Sequence, residues 1–166
     1  DRDGIYVGTN ANLHLQDFSI EAWIKRTSAS ILSFNGNSNS TLFAVGTGGG
    51  GYGFYIRSDN QLAIGKSQVN EVFAGALISD TNWHHVAVTY DGSCWQLYLD
   101  GATQTPGTNC PARAPRSDSI QHFGLGTAMT SAGAVAGFFA GIMDEARVWN
   151  RALTGAEIQA LKDQEI

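Results

Sequence analysis

The sequence predicts an all-β fold: two antiparallel sheets packed as a sandwich, with one short helix at the C-terminal end. Apolar residues recur with a period of two from the start of the chain to about residue 149, the spacing of strands that bury one face. Asn-Gly, Asp-Gly and Gly-rich stretches cut that region into short runs joined by tight turns. A helical signature appears once, at the end of the chain, so no helices are available to carry parallel crossovers.

The elements follow in order. Ile5 and Val7 open the alternation, and Phe18, Ile20, Ala22 and Ile24 alternate with Ser19, Glu21, Trp23 and Lys25. Shorter strands are expected at 31–34, 41–45, 52–57 and 62–65, each ended by Gly, Asn or Ser. Further strands are expected at 71–78, 83–90, 94–99, 120–124 and 138–149. Turns fall at Asn35-Gly36, Thr47 through Gly51, Asp59-Asn60, Asp91-Gly92 and Asp100-Gly101. Thr154 and Glu157 then have the spacing of a capping box, and Ile158 and Leu161 give the helix a narrow apolar stripe for docking.

A chain of 166 residues, 43% hydrophobic, builds one well-buried core and falls short of two, so residues 1–166 are expected to form one domain. Because it begins at Asp1 rather than Met, it is expected to be one module of a longer protein. No apolar run approaches the roughly 20 residues of a membrane span, and membrane insertion is not expected. Ten basic residues, scattered, against fifteen acidic ones leave a net charge of -5, which argues against nucleic acid and anionic membrane as partners.

The two cysteines bear on the compartment. Asp100-Gly101 is a strong hairpin signal, and folding about it brings residue 94 opposite roughly 107. A slightly longer return strand, or a bulge, puts Cys110 beside Cys94 in a cross-strand disulfide, which implies secretion or a cell surface. The alternative is a pair of buried free thiols.

Three segments carry a resemblance: Asp17-Phe-Ser-Ile-Glu-Ala-Trp-Ile-Lys25; Trp83-His-His-Val-Ala-Val-Thr-Tyr-Asp-Gly92 leading into Leu97-Tyr-Leu-Asp-Gly101; and Gly141-Ile-Met-Asp-Glu-Ala-Arg-Val-Trp-Asn-Arg-Ala-Leu153. In order and spacing, over almost the full chain, they resemble the laminin-G-like, concanavalin-type jelly-roll family that includes pentraxins and accessory modules of secreted enzymes. The resemblance implies a jelly-roll sandwich, and it implies a function among glycan binding, adhesion and structure. It also implies that Trp23, Trp83 and Trp149 pack within the fold and that His85 is structural, its ring satisfying a backbone group. His14, His84 and His122 have no cysteine or carboxylate at ligand spacing, so a transition-metal site is not expected.

Catalysis is not expected either. The Glu-x-Asp-x-Glu signature of jelly-roll hydrolases is absent, and Asp144 and Glu145, adjacent on a strand, point to opposite faces. The run Gly46 to Tyr52 joins strand to strand without a helix N-terminus and reads as a hairpin loop rather than a phosphate cradle. Calcium is the cofactor the resemblance implies. A pentraxin-like ligand site lacks its acids in the loop 127–136, which leaves Asp3 and Asp144 as candidates for a structural ion near the paired ends of the chain. The alternative is that Asp3 caps a turn and Asp144 accepts backbone amides.

A sugar site needs an outward aromatic to stack on a pyranose, with polar neighbours for its hydroxyls. Tyr55 and Arg57 lie opposite in phase to Tyr52, Phe54 and Ile56, so they face out if those three face the core. Trp95 is the tryptophan that the family pattern does not demand, and Tyr98 is opposite to it in phase, so at most one of the two is on an open face. Asn35, Asn37 and Asn39 form a polar loop that supplies amides, Asn37 being its central candidate. The expected function is a non-catalytic extracellular recognition module, for carbohydrate or adhesion, whose partner is a glycan or a cell-surface or extracellular protein. The alternative is a structural or protein-assembly domain that docks on neighbouring chains or on other domains of its parent and binds no glycan.

Overall fold

The computed structural model describes residues 3–32, 40–45, 51–66, 70–110, 123–129 and 135–164. Thirteen strands and one α-helix occur among them: β1 Ile5–Gly8, β2 Phe18–Arg26, β3 Ser40–Val45, β4 Tyr52–Ile56, β5 Gln61–Lys66, β6 Asn70–Leu77, β7 Trp83–Tyr90, β8 Trp95–Leu99, β9 Ala102–Asn109, β10 Phe123–Leu125, β11 Ala128–Met129, β12 Val135–Ala136, β13 Gly141–Trp149 and α1 Gly155–Lys162. A six-stranded sheet in the order β1-β10-β3-β4-β5-β6 packs on a five-stranded sheet in the order β13-β2-β7-β8-β9, with β11 and β12 as a small ribbon. All pairings are antiparallel, giving the jelly-roll sandwich the sequence predicts.

Period-two alternation decides which side chains meet between the sheets. Phe18, Ile20, Ala22 and Ile24 of β2, Val86, Val88 and Tyr90 of β7, and Trp95, Leu97 and Leu99 of β8 face inward. They meet Phe43, Tyr52, Phe54, Ile56, Leu62 and Ile64 of the other sheet in one continuous core. At one end the core is aromatic: Phe18 stacks on Tyr52 with centroids 4.6 Å apart, Tyr90 lies 4.9 Å from Trp95, and Trp95 meets Phe18 edge-on at 5.6 Å. At the far end of β2 the guanidinium of Arg26, 2% exposed, donates to the Asn60 side chain at 2.7 Å, to the Ala29 carbonyl at 2.8 Å and to the Ile78 carbonyl. That cation thereby holds the Asp59-Asn60 turn of the opposite sheet.

The helix forms as its sequence predicts. Thr154 Oγ1 accepts from the Glu157 amide at 3.3 Å and Glu157 Oε2 accepts from the Thr154 amide at 2.8 Å, closing the capping box. Ile158 then docks, fully buried, with Leu153 against Ala87 and Tyr98 on the outer face of the five-stranded sheet.

Several expectations need adjustment. β9 is a strand with no apolar run to announce it, because it ends its sheet and most of its side chains face solvent. Residues 31 and 32 lie outside any strand, and Phe138 through Ala140 precede β13 rather than starting it. The Asn35-Gly36 turn, most of the Thr47 to Gly51 loop, residues 33–34 and residues 120–122 lie outside the described residues.

The Cys94–Cys110 disulfide is present, with its Cα atoms 4.6 Å apart. Asp100 and Gly101 turn the hairpin at φ 52° and 78°. The register then slips between Gln96 and Tyr98, so that Trp95 pairs with Asn109 rather than a residue nearer the turn. The slip includes Gly107, where a Cβ would sit 2.6 Å from the Gln104 carbonyl oxygen. This bulge is what carries Cys110 level with Cys94. Replacing both cysteines by Ser should lower the unfolding free energy by about 3 kcal/mol, the chain-entropy value for a loop of this size, as read from urea denaturation of the variant against the oxidised parent.

Candidate functional site

Each sheet has an outer face, and the two differ. On the five-stranded sheet, α1 covers one part of it, and the rest is built around a buried charge. Glu21 of β2 and His85 of β7 are both without solvent exposure, and Glu21 Oε2 lies 2.7 Å from His85 Nε2. Arg147 of β13 donates to Glu21 Oε1 at 3.0 Å, and its other terminal nitrogen donates to Glu145. Trp23 stands edge-on to His85 with centroids 5.5 Å apart. Burial by itself would raise the Glu21 carboxyl, but the hydrogen bonds from His85 and Arg147 outweigh it and hold the group below the usual carboxylate range. The partner of His85 is therefore a carboxylate rather than the expected backbone group. Sealed from solvent on both members, this pair offers a substrate no access.

Asp144 and Glu145 also depart from expectation. A bulge between Asp144 and Arg147 interrupts the pairing of β13 with β2, and Glu145 takes φ 50° there. The bulge cancels the alternation, and the Glu145 carboxylate turns to meet Arg147, which itself reaches Glu21 on the outer face.

His84 finds carboxylates that its sequence neighbourhood did not predict. Its Nδ1 lies 2.9 Å from Asp100 Oδ2 and its Nε2 lies 3.0 Å from Asp80 Oδ1. Partial burial would lower the imidazole pKa, but the two carboxylates prevail and raise it. With a carboxylate on each ring nitrogen, this is a charged latch between the residue 80 turn and the Asp100-Gly101 turn.

The outer face of the six-stranded sheet is different in kind. Registered across it run Tyr6, Gly124, Ala44, Gly53 and Gly65, and beside them Thr41, Tyr55 and Ala63. The middle of the first row is all Gly and Ala, so the sheet has a floor of backbone there. Ala44 and Ala63 have no solvent exposure, which leaves the stretch around Tyr55 and Arg57, both half-buried, as the accessible part. Both residues face outward, as their phase predicts. The Arg57 guanidinium lies 3.3 Å from Asp59 Oδ2.

The remaining site candidates fall elsewhere. Trp95 is 1% exposed within the aromatic end of the core, so it is no sugar platform. Tyr98 does face outward, but Leu153 and Ile158 cover it, leaving 6% exposed. Phase showed which face each belonged to and could not show that α1 occupies one of them. Asn37 lies outside the described residues. Asp3 is exposed at a cleft lined by inward-facing Met143, whereas Asp144 is opposite in phase to Met143 and accepts from the Glu145 amide at 2.8 Å. Among the described residues no group of three or more His, Cys, Asp or Glu could hold a metal ion.

With this geometry in view, the comparisons with known proteins are consistent. Residues 1–159 match the Laminin_G_3 family, described as the concanavalin A-like lectin/glucanases superfamily, and the chain belongs to it. No curated protein matches by sequence. Among solved structures, domain 4 of AbnA, an extracellular GH43 arabinanase from Geobacillus stearothermophilus, in complex with arabinotriose, is 18% identical at TM-score 0.74, over 96% of this chain and 72% of that one. The CBM40 of the Ruminococcus gnavus IT-sialidase is 19% identical at TM-score 0.74, over 96% of each chain. A heptameric SAP-like pentraxin from Limulus polyphemus is 16% identical at TM-score 0.66, over 90% of this chain and 70% of that one. At these identities the likeness is one of fold.

The His84 latch has a defined pH signature. Because the folded pKa is raised, its contribution is fully present below the unfolded value near 6.5 and is lost as pH rises through the folded pKa. The melting temperature of the wild type should therefore fall across that alkaline window relative to His84→Gln, whose profile should be flatter; parallel profiles would show that the latch does not titrate.

Proposed function

We propose that this chain is a non-catalytic, extracellular carbohydrate-recognition module. The observation that carries the reading is the division of labour between the two outer faces. One is occupied by α1 and the sealed contact between Glu21 and His85, while the other presents Tyr55 and Arg57, half-buried, beside a row of Gly and Ala. The floor itself is buried, and the phenol ring of Tyr55 beside it offers a stacking surface for a pyranose. Arg57 brings donors for hydroxyls or a carboxylate, in exchange with Asp59. The Cys94–Cys110 bond supports an extracellular setting. The sealing of Glu21 and His85 supports the absence of catalysis.

The ligands bound by the structural neighbours supply the first probes, arabinotriose among them. Sialyllactose, bound by the Ruminococcus gnavus CBM40, is the second. A glycan array should find a ligand of modest affinity, and Tyr55→Ala should weaken it tenfold or more, about 1.4 kcal/mol, while leaving the melting temperature close to that of the parent. Equal binding by Tyr55→Ala and the parent would remove Tyr55 from the site. A structural calcium ion would rest on Asp3 or Asp144 with backbone carbonyls; a higher melting temperature in calcium than in chelator would place an ion in the fold, and equal values would remove it.

A further inference from the structure

The turn between β4 and β5 fixes a carboxylate beside Tyr55 and Arg57. Arg57 donates its amide to the Gln61 carbonyl and the Asn60 amide donates to the Arg57 carbonyl, both at 2.9 Å, with Asn60 at φ 68°. Asp59 lies within this turn and has both carboxylate oxygens engaged: Oδ1 accepts from the Gln61 amide at 3.1 Å, and Oδ2 lies 3.3 Å from Arg57 Nη2. The turn is anchored in its own right. Buried Arg26 donates to Asn60 Oδ1 at 2.7 Å, and the Ile78 amide donates to the Asn60 carbonyl at 2.9 Å. Asp59 is therefore held to the backbone rather than left as a mobile counter-ion, yet its side chain is 46% exposed and that of Arg57 28%. Gln61 and Leu77 extend the surface. Gln61 is opposite in phase to the core residue Leu62, Leu77 is opposite to the core residue Ile78, and the two are paired, so both share the outer face with Tyr55.

We propose that this face selects neutral glycans and rejects acidic ones through Asp59, a selectivity that rests on the carbohydrate reading above and narrows it. A sugar hydroxyl both donates and accepts, so a neutral sugar finds an acceptor in Asp59 and a donor in Arg57 without separating the pair. A carboxylate or sulfate can only accept. To reach Arg57 it has to lie against the Asp59 charge or displace a carboxylate whose other oxygen the turn holds. Like charges set side by side in this way discriminate against a partner. Tyr55, Gln61 and Leu77 add no positive charge to offset Asp59, and the chain as a whole has the same sign, at -5. The same three suit an uncharged ring: Tyr55 and Leu77, the latter 51% exposed, offer apolar surface to its C–H face, and the Gln61 amide bonds to hydroxyls.

The test is a glycan array of neutral oligosaccharides, arabinotriose and lactose among them, beside uronic-acid, sulfated and sialylated counterparts that include sialyllactose, probed with the parent, Tyr55→Ala and Asp59→Asn. The parent should bind neutral members, with the acidic counterpart of each bound ligand about tenfold weaker or more. Asp59→Asn keeps an acceptor for the Gln61 amide and removes the charge, so it should narrow that gap to about threefold or less at a melting temperature close to the parent's. Asp59→Ser, which also keeps a turn acceptor, should act in the same direction. Acidic glycans bound by the parent as tightly as their neutral counterparts, and lost in Tyr55→Ala, would overturn the selectivity and leave the carbohydrate reading standing. A gap of unchanged size in both Asp59 variants would overturn it too, since the selection would then arise elsewhere. Binding to no glycan, or binding that Tyr55→Ala leaves intact, would remove the carbohydrate reading of this face and the selectivity with it.

Discussion

A carboxylate buried away from water has to be met by donors, and in this protein that requirement ties three strands together. Glu21 sits on β2 and its oxygens are held by His85 on β7 and Arg147 on β13. Removing one member of such a group leaves an uncompensated buried charge, which costs on the order of 3 to 5 kcal/mol. The three sequence segments that carry the family resemblance each contain one of these residues. In space they are a single cluster, and β2 cannot keep Glu21 charged without both of its neighbours.

The same strand divides the molecule into faces with separate duties. Inward, Phe18, Ile20, Ala22 and Ile24 commit β2 to the core. Outward, Ser19 donates to the Arg151 carbonyl at 2.9 Å and accepts from the Leu153 amide at 2.8 Å, which fixes the segment leading into α1. The helix is thereby held over Ala87 and Tyr98, and the five-stranded sheet loses its outer face to structure. The outer face of the six-stranded sheet differs, with Gly and Ala in place of large side chains along one row.

Legibility in the sequence followed the regularity of burial. β2 and β7 keep strict alternation because both of their neighbours in the sheet are strands and one face is core, so their extents could be read directly. β9 could not, because a strand at the end of a sheet has no need of apolar residues. Tyr55 and Arg57 were placed correctly by phase, since β4 has no bulge in its pairing with β5. Phase also gave Trp95 and Tyr98 opposite faces, but it could not show that α1 covers the outer one, because what covers a face is a tertiary matter. Glu145 was hidden by a bulge in a stretch that contains no glycine to mark it. The partners of His84 were equally invisible: one comes from four residues before it and the other from a turn sixteen residues after it, joined only when β7 and β8 pair.

The long reach between Glu21 and Arg147 has a kinetic side. Their hydrogen bond spans 126 residues, and β2 is flanked by β7, made soon after it, and by β13, made last. Folds governed by such distant pairings form slowly, over milliseconds to seconds, because loop closure precedes any gain from the contact. His85 is made before Arg147, so both donors for Glu21 are available only once the last strand has been synthesised. The chain can settle its charges only after the final strand has emerged, which makes the partly built sheet the stage most open to capture by a wrong partner.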